Sequence, residues 1–245
     1  VTSRTGWLLR GLGWGLLISF LVRPQAFAGL LIPLTHDGAP AIYDQGDLLA
    51  LASAHLGIVL VATVFSTAIA LALAIGVTRG PGRAFLPLSR TLVGVGQTFP
   101  PVAVLAVAVP LVGFGATPTL IALIAYGLLP IFENALSGLE GVPSSIREAA
   151  DGMGFDPLRR LWRVELPLAR PLIVEGVKQT LVISVGTATL GSTVASQGLG
   201  EVIVAGLLSD NTAFVLQGGV LTGLMAVLLH DTVGVMTRPW MRGMA

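Results

Sequence analysis

Residues 91–132 read TLVGVGQTFPPVAVLAVAVPLVGFGATPTLIALIAYGLLPIF, and no Asp, Glu, Lys or Arg occurs among them. A helix that crosses a bilayer takes roughly 20 mostly apolar residues, so the stretch has room for two spans. Gly and Pro in GFGATP, residues 113–118, punctuate the hairpin between them. A second charge-free stretch, 179–200, has room for one more span. The chain as a whole is 53% hydrophobic and 11% charged over 245 residues, against about 25% charged in soluble domains. Its mean hydropathy is +0.85. These values predict an all-α, polytopic transmembrane helical bundle. A net charge of +1 points away from nucleic acid, and the absence of cysteine excludes disulfides.

Apolar periodicity places six spans, at about 7–31, 52–78, 91–112, 117–138, 171–195 and 213–236. The first is weakened by Gly11, Gly13 and Gly15 and is followed by Arg23-Pro24 without a small-residue cleavage pattern, so it reads as a retained span. Orientation follows from the basic residues. With six spans and the N-terminus inside, the inner side collects Arg4, Arg10, Arg79, Arg83, Arg90, Arg147, Arg159, Arg160, Arg163, Arg170, Lys178, Arg238 and Arg242, which is 13 of the 14 Lys and Arg. The outer loops hold His36, Asp37, Asp44, Asp47, Glu201 and Asp210.

The connection 139–170 carries 10 of the 27 charged residues. Each charge would cost about 2.5–3.5 kcal/mol at the centre of a bilayer, so this loop belongs in the cytoplasm. Ser145 and Glu148 fit a capping box. Ile146, Ala149, Ala150 and Met153 then make one apolar face of a short helix, with Arg147, Glu148 and Asp151 on the other and Gly152 and Gly154 ending it. Asp156-Pro157 starts a second helix with an apolar stripe of Leu158, Leu161 and Trp162. Pro167 and Pro171 mark the start of the next span. Such a knob serves either as a helix received in the groove of a protein partner or as an amphipathic loop lying on the membrane, with Glu148 capping its own helix.

Within that loop, EAADGMGFDPLRRLWRVELP (148–167) fits the spacing Glu-Ala-Ala-x3-Gly-x9-hydrophobic-x-Leu-Pro. The pattern resembles the cytoplasmic coupling loop of ABC importer permeases, with Val164 where the family often has Ile. GQTFPPVAVLAVAVPLVGFG (96–115), YGLLPIFENALSGLEGV (126–142) and SVGTATLGSTVASQGLG (184–200) look like the permeases of glycine betaine, choline and carnitine uptake systems. The likeness runs over roughly residues 50–235 and covers the first 45 less. It implies a MetI-like ABC permease fold in a single domain, 1–245, with an additional N-terminal span and outer loop at 1–45, a core at 50–237 and the coupling loop at 139–170. It also implies a bacterial inner-membrane subunit that moves a compatible solute such as glycine betaine. The implied partners are two ATP-binding subunits, a second permease subunit, identical or paralogous, an extracytoplasmic solute-binding protein and membrane lipid. By the same resemblance Ser145, Arg147, Glu148, Ala149, Ala150, Gly154, Leu166 and Pro167 couple to the ATPase.

The chain has no GxxxxGK[ST] loop, so no cofactor is expected on it, and ATP and Mg fall to the partner ATPase. No catalytic residue and no metal ligand is assigned. A Ser192, His230 and Asp231 hydrolase is a rival reading, as is an ion-coupled secondary transporter; an amino-acid permease of the same architecture is a third. Polar residues inside spans usually face a bundle interior or a wet cavity. Candidates for a translocation pathway are therefore Gln97 and Thr98 beside Pro100 and Pro101, Glu133 and Asn134, and Ser184 and Thr187. Close packing of small hydroxyl residues is the competing role for the last two. No aromatic cage for a quaternary ammonium ion is visible, because Trp7, Trp14, Trp162 and Trp240 lie at span ends or in the loop.

Overall fold

The computed structural model describes residues 4–36 and 38–241, and the side chains of 6–36 and 38–237. Arg4, Asp37, Arg238, Trp240 and Arg242 thus lie outside the residues whose side chains are described. Among the described residues all regular secondary structure is helical, and there are no strands. The helices are α1 (Arg4–Val22), α2 (Ala28–Leu31), α3 (Leu48–Thr78), α4 (Leu86–Thr98), α5 (Pro101–Val112), α6 (Ala116–Glu140), α7 (Ser144–Gly152), α8 (Pro157–Arg160), α9 (Leu166–Ala188), α10 (Gly200–Leu208) and α11 (Thr212–Met241).

α6 is the centre of the bundle, flanked by α3 and α9. Glycine lets these helices approach backbone to backbone. A Cβ on Gly127 would stand 2.6 Å from Ser66 Oγ and 2.8 Å from Thr180 Cγ2, and one on Gly176 would stand 2.8 Å from the Pro130 carbonyl oxygen. In an apolar solvent the drive for helix association comes from such packing and from interhelical hydrogen bonds. Ser66 donates to Ile124 O at 3.1 Å and Thr180 to Gly127 O at 3.1 Å. Two apolar cores stack along this axis. One joins Leu17, Leu51, Val59, Leu123, Val185 and Phe214. The other joins Ala74, Val93, Phe132, Leu136, Leu161 and Ala169 beside the charged loop.

Among the described residues three helices are long and apolar enough to cross a membrane, α3, α6 and the Thr212–Thr237 part of α11, or up to five if each of two bent helix pairs makes one span, against the six expected. The other expected spans depart from straight rods. The first ends at Val22, where Pro24 forces Arg23 out of the helical region, and the chain bends by 110° into short helical turns. The third is broken at Phe99-Pro100, and α4 and α5 meet at 96°. α9 stops at Ala188, short of the expected 195; residues 189–194 tighten to a 3-10 turn and Ala195 takes the left-handed φ of 61°. Its apolar run is interrupted by Glu175 and Lys178, which neutralise each other at 2.7 Å. α10 lies within what was expected to be an outer loop.

The connections separate cleanly. Gly115 N donates to Val194 O, Asn211 Nδ2 to Pro40 O and Tyr43 N to Gln217 Oε1, which gathers one set of loops at one end. Arg79 reaches Glu165 and Arg10 reaches Asp231 at the other, the end that carries the charged loop. A leucine at position 176 should overpack the α6–α9 contact and cost about 1–3 kcal/mol. Gly176→Leu is expected to lower the melting temperature of the detergent-solubilised protein, whereas Gly219→Leu, where nothing stands within 4 Å, should leave it within a degree or two.

Candidate functional site

α7 is built differently from the capping-box expectation. It begins at Ser144 after Pro143, no side chain caps it, and Ser145 lies inside its first turn. Pro143 sets the extended backbone that starts the helix, and Arg147 Nη2 reaches back to the Leu139 and Glu140 carbonyls at 2.9 and 3.2 Å, tying α7 to the C-terminal end of α6. The other end of α7 is a Schellman motif. Phe155 N bonds to Ala150 O and Gly154 N to Asp151 O, with Gly154 at φ +78°. This is the physical reason for a glycine four positions after the second alanine.

Asp156 caps the following helix as expected, accepting from Leu158 N and Arg159 N at 2.9 Å each. That helix is not a separate short element. α8 passes through a π turn at Leu161–Glu165 directly into α9. The wider turn stands just before Pro167, whose ring would otherwise clash with the carbonyl four residues back. Pro167 thus stands in the first turn of α9, as expected, whereas Pro171 lies inside the helix.

The loop buries a charge and leaves several apolar side chains exposed. Glu165, 3% exposed, accepts from Arg79 at the end of α3 and, at 3.1 Å, from Arg160. Arg160 also pairs with Asp151 of α7, and this hydrogen bond is the main reason that its guanidinium is held above its ordinary pKa. Glu165 through Arg79 and Arg147 through the α6 carbonyls hold the loop to α3 and α6, while the Arg160–Asp151 pair, with Asp151 half exposed, closes α7 onto α8. Of the expected apolar face only Ala150 is buried; Ile146, Ala149 and Met153 are exposed. Leu158 and Trp162 are exposed as well, while Leu161 packs inward. Glu148 is exposed and makes no hydrogen bond or ion pair among the described residues. It does not cap its own helix.

The pathway candidates divide into two groups. Pro130 lacks the N–H that would bond Tyr126 O four residues earlier, and Gln97 Nε2 fills that role at 3.0 Å. Tyr126 Oη in turn donates to Phe99 O, freed by the break at Pro100-Pro101. The broken helix is thus clasped to α6 at two points. Glu133 pairs with Arg90 of α4 at 2.9 Å, and Asn134 Nδ2 bonds Pro130 O at 2.8 Å and approaches Gln179 of α9 at 3.4 Å. Arg90, Glu133, Asn134 and Gln179 form a partly exposed polar strip across three helices. Ser184 instead is fully buried, with no partner for its hydroxyl, and Thr187 is half-buried on the same helix. Ser192 lies at the end where Gly115 meets Val194, whereas Asp231 pairs with Arg10 at the other, so no Ser-His-Asp constellation forms.

Residues 66–236 match the family model of the binding-protein-dependent transport system inner membrane component. The chain belongs to this family. The permease is 36% identical over 189 residues to the osmoprotectant import permease protein OsmY of Salmonella typhimurium, covering 77% of the chain and 80% of the relative. It is 33% identical over 193 residues to the choline transport system permease protein OpuBB of Bacillus subtilis, covering 79% and 88%. Its fold matches an inward-facing structure of the MetNI methionine ABC transporter with a TM-score of 0.69 at 22% identity, over 79% of the permease and 96% of that chain. The MetI-like architecture expected from the loop motif is therefore present.

Arg90 and Gln179, and the Arg79–Glu165–Arg160–Asp151 chain, were not singled out from sequence. Their partners lie up to 86 residues apart, and only the mixed signs within 139–170 hinted at internal pairing. Because no atom stands within 4 Å of a Cβ at Gly154, substitution there tests backbone strain alone. Gly154→Ala should destabilise the α7 terminus by about 1 kcal/mol. Amide hydrogen exchange at 148–155 is expected to quicken by about fivefold, and Gly154→Asn, which tolerates the left-handed region, should recover much of the protection.

Proposed function

We propose that the permease imports a compatible solute, glycine betaine or a related quaternary ammonium compound, by alternating access driven by a separate ATPase. The substrate is supported by its relatives, which are named for the import or transport of osmoprotectants, choline and glycine betaine. Two ATP-binding subunits dock on the cytoplasmic loops of two permease subunits, and a binding protein delivers the solute from outside. Both termini and the loop 139–170 face the cytoplasm. ATP and Mg are bound by the ATPase, and this chain catalyses no reaction itself.

The observation that supports the coupling role is the exposed outer side of α7. Arg147 ties α7 to the end of α6 and Asp151 ties it to Arg160 of α8, while Ile146, Ala149, Met153 and Glu148, which makes no ion pair among the described residues, stay exposed. Small Ala149 admits close approach of a partner, Glu148 offers it a charge, and Ser145 extends the same outer surface. Ala150, Gly154, Leu166 and Pro167 set the geometry behind it. Closure of the ATPases pushes α7, and the rigid path through α8 into α9 carries the displacement to the spans.

The pathway is assigned to Gln97, Thr98, Pro100, Pro101, Glu133 and Asn134, and extended to Arg90 and Gln179. Charged and amide side chains on the side of apolar helices require water or another polypeptide, and a second permease subunit across the strip supplies both. Ser184 and Thr187 act in packing α9.

Vesicles containing the permease, its ATPase and its binding protein should take up glycine betaine when ATP is supplied. Glu148→Arg should reduce that uptake by about tenfold or more with an unchanged melting temperature. Undiminished uptake in the variant contradicts the coupling role. ATP-driven uptake of an amino acid in place of betaine contradicts the substrate alone, and uptake by the chain without ATP contradicts both.

A further inference from the structure

Between the α3 end, the α6 end and α7 lies a cavity of about 60 Å³ whose lining includes Arg79, Arg83, Arg147 and Arg160. Four guanidinium groups there face two carboxylates, Glu140 and Glu165. Glu165 is already shared between Arg79 and Arg160, and Asp151, the other partner of Arg160, takes no other arginine among the described residues. Arg147 spends its Nη2 on the Leu139 and Glu140 carbonyls. This leaves the Nε groups of Arg79 and Arg147 buried without an acceptor. Arg83, exposed at the same cavity, has no ion pair among the described residues.

Buried donors on charged groups are costly to leave unmet, and buried cations need compensation. A water-sized site needs about 10–15 Å³ of such space, so the cavity holds several waters or one small ion. We propose that it binds a small inorganic anion, a halide by its size. The anion accepts from the two orphaned Nε groups and from the Arg83 guanidinium that lines the same cavity, and balances the excess of cations around it. Bound there, it ties the end of α3 to the base of α7, so the same site sets how firmly the coupling loop is held. The proposal concerns a site beneath the docking face and does not depend on which solute is transported.

The test uses the permease purified with its ATPase and held in gluconate, an anion too large for the cavity. Chloride, bromide or inorganic phosphate is added at constant ionic strength while thermal unfolding is followed. Stabilisation that saturates with chloride and bromide is expected. Saturation with phosphate alone would keep the anion site and replace the halide. A bromide-soaked crystal should show anomalous scattering between Arg79 and Arg147. Arg83→Gln, at an exposed and unpaired position, should preserve the fold in gluconate and weaken halide binding by about tenfold or more. Arg147→Gln should abolish it; if that variant does not fold, Arg83→Gln still decides. Equal melting in every anion, an anomalous map empty at the cavity, or a wild-type response from Arg83→Gln overturns the proposal.

Discussion

Glu165 sits almost wholly buried at the foot of the charged loop and accepts from guanidinium groups that arrive on two different helices. Removing one partner from such a buried group costs about 3–5 kcal/mol, because the other charges are left uncompensated. Arg79 brings the end of α3 to this point, and Arg160 extends the connection to Asp151 on α7. The loop is therefore a fixture of the bundle rather than a tether. With Glu165 and Arg147 anchored to the bundle, Ile146, Ala149, Met153, Leu158 and Trp162 remain exposed. A preformed surface of this kind binds without first paying the entropy of ordering.

The second constraint is the solvent. Hydrocarbon offers no hydrogen bonds, so every helix break inside a bilayer must be satisfied by protein. The double proline at 100–101 and the lone Pro130 both free backbone carbonyls, and Gln97 and Tyr126 answer them reciprocally. The same logic explains why Glu133 meets Arg90 and why Glu175 meets Lys178. Arg90, Glu133, Asn134 and Gln179 stay partly exposed along the side of α4, α6 and α9.

Much of the fold was legible because composition and periodicity are local. Charge-free stretches located α5 and α6, and Asp156-Pro157 and Gly154 acted as the sequence reads them. Three features were not legible. Helix bends at Pro24 and Pro100 depend on what takes up the freed carbonyls, and π turns have no signature beyond a following proline. The capping box at Ser145 failed because Pro143 had already fixed the start of the helix and Arg147 was drawn away to α6. For the site, the sequence set Ala149 and Met153 on one face of α7 and Glu148 on the other, whereas all three are exposed; which positions stay exposed required knowing where Arg160 and Glu165 go. Orientation is a property of the partner helices, not of the helix itself.

The central claim is that the apolar side of α7 is a cytoplasmic docking face, held ready before any partner arrives. The chain has no native cysteine, so Met153→Cys, at a position 67% exposed, gives a single reporter on that face. Its labelling by a membrane-impermeant maleimide should be rapid in inside-out vesicles and absent in right-side-out ones. Adding the ATPase should slow it strongly. Rapid labelling from the outside, or a rate indifferent to the ATPase, would contradict the account.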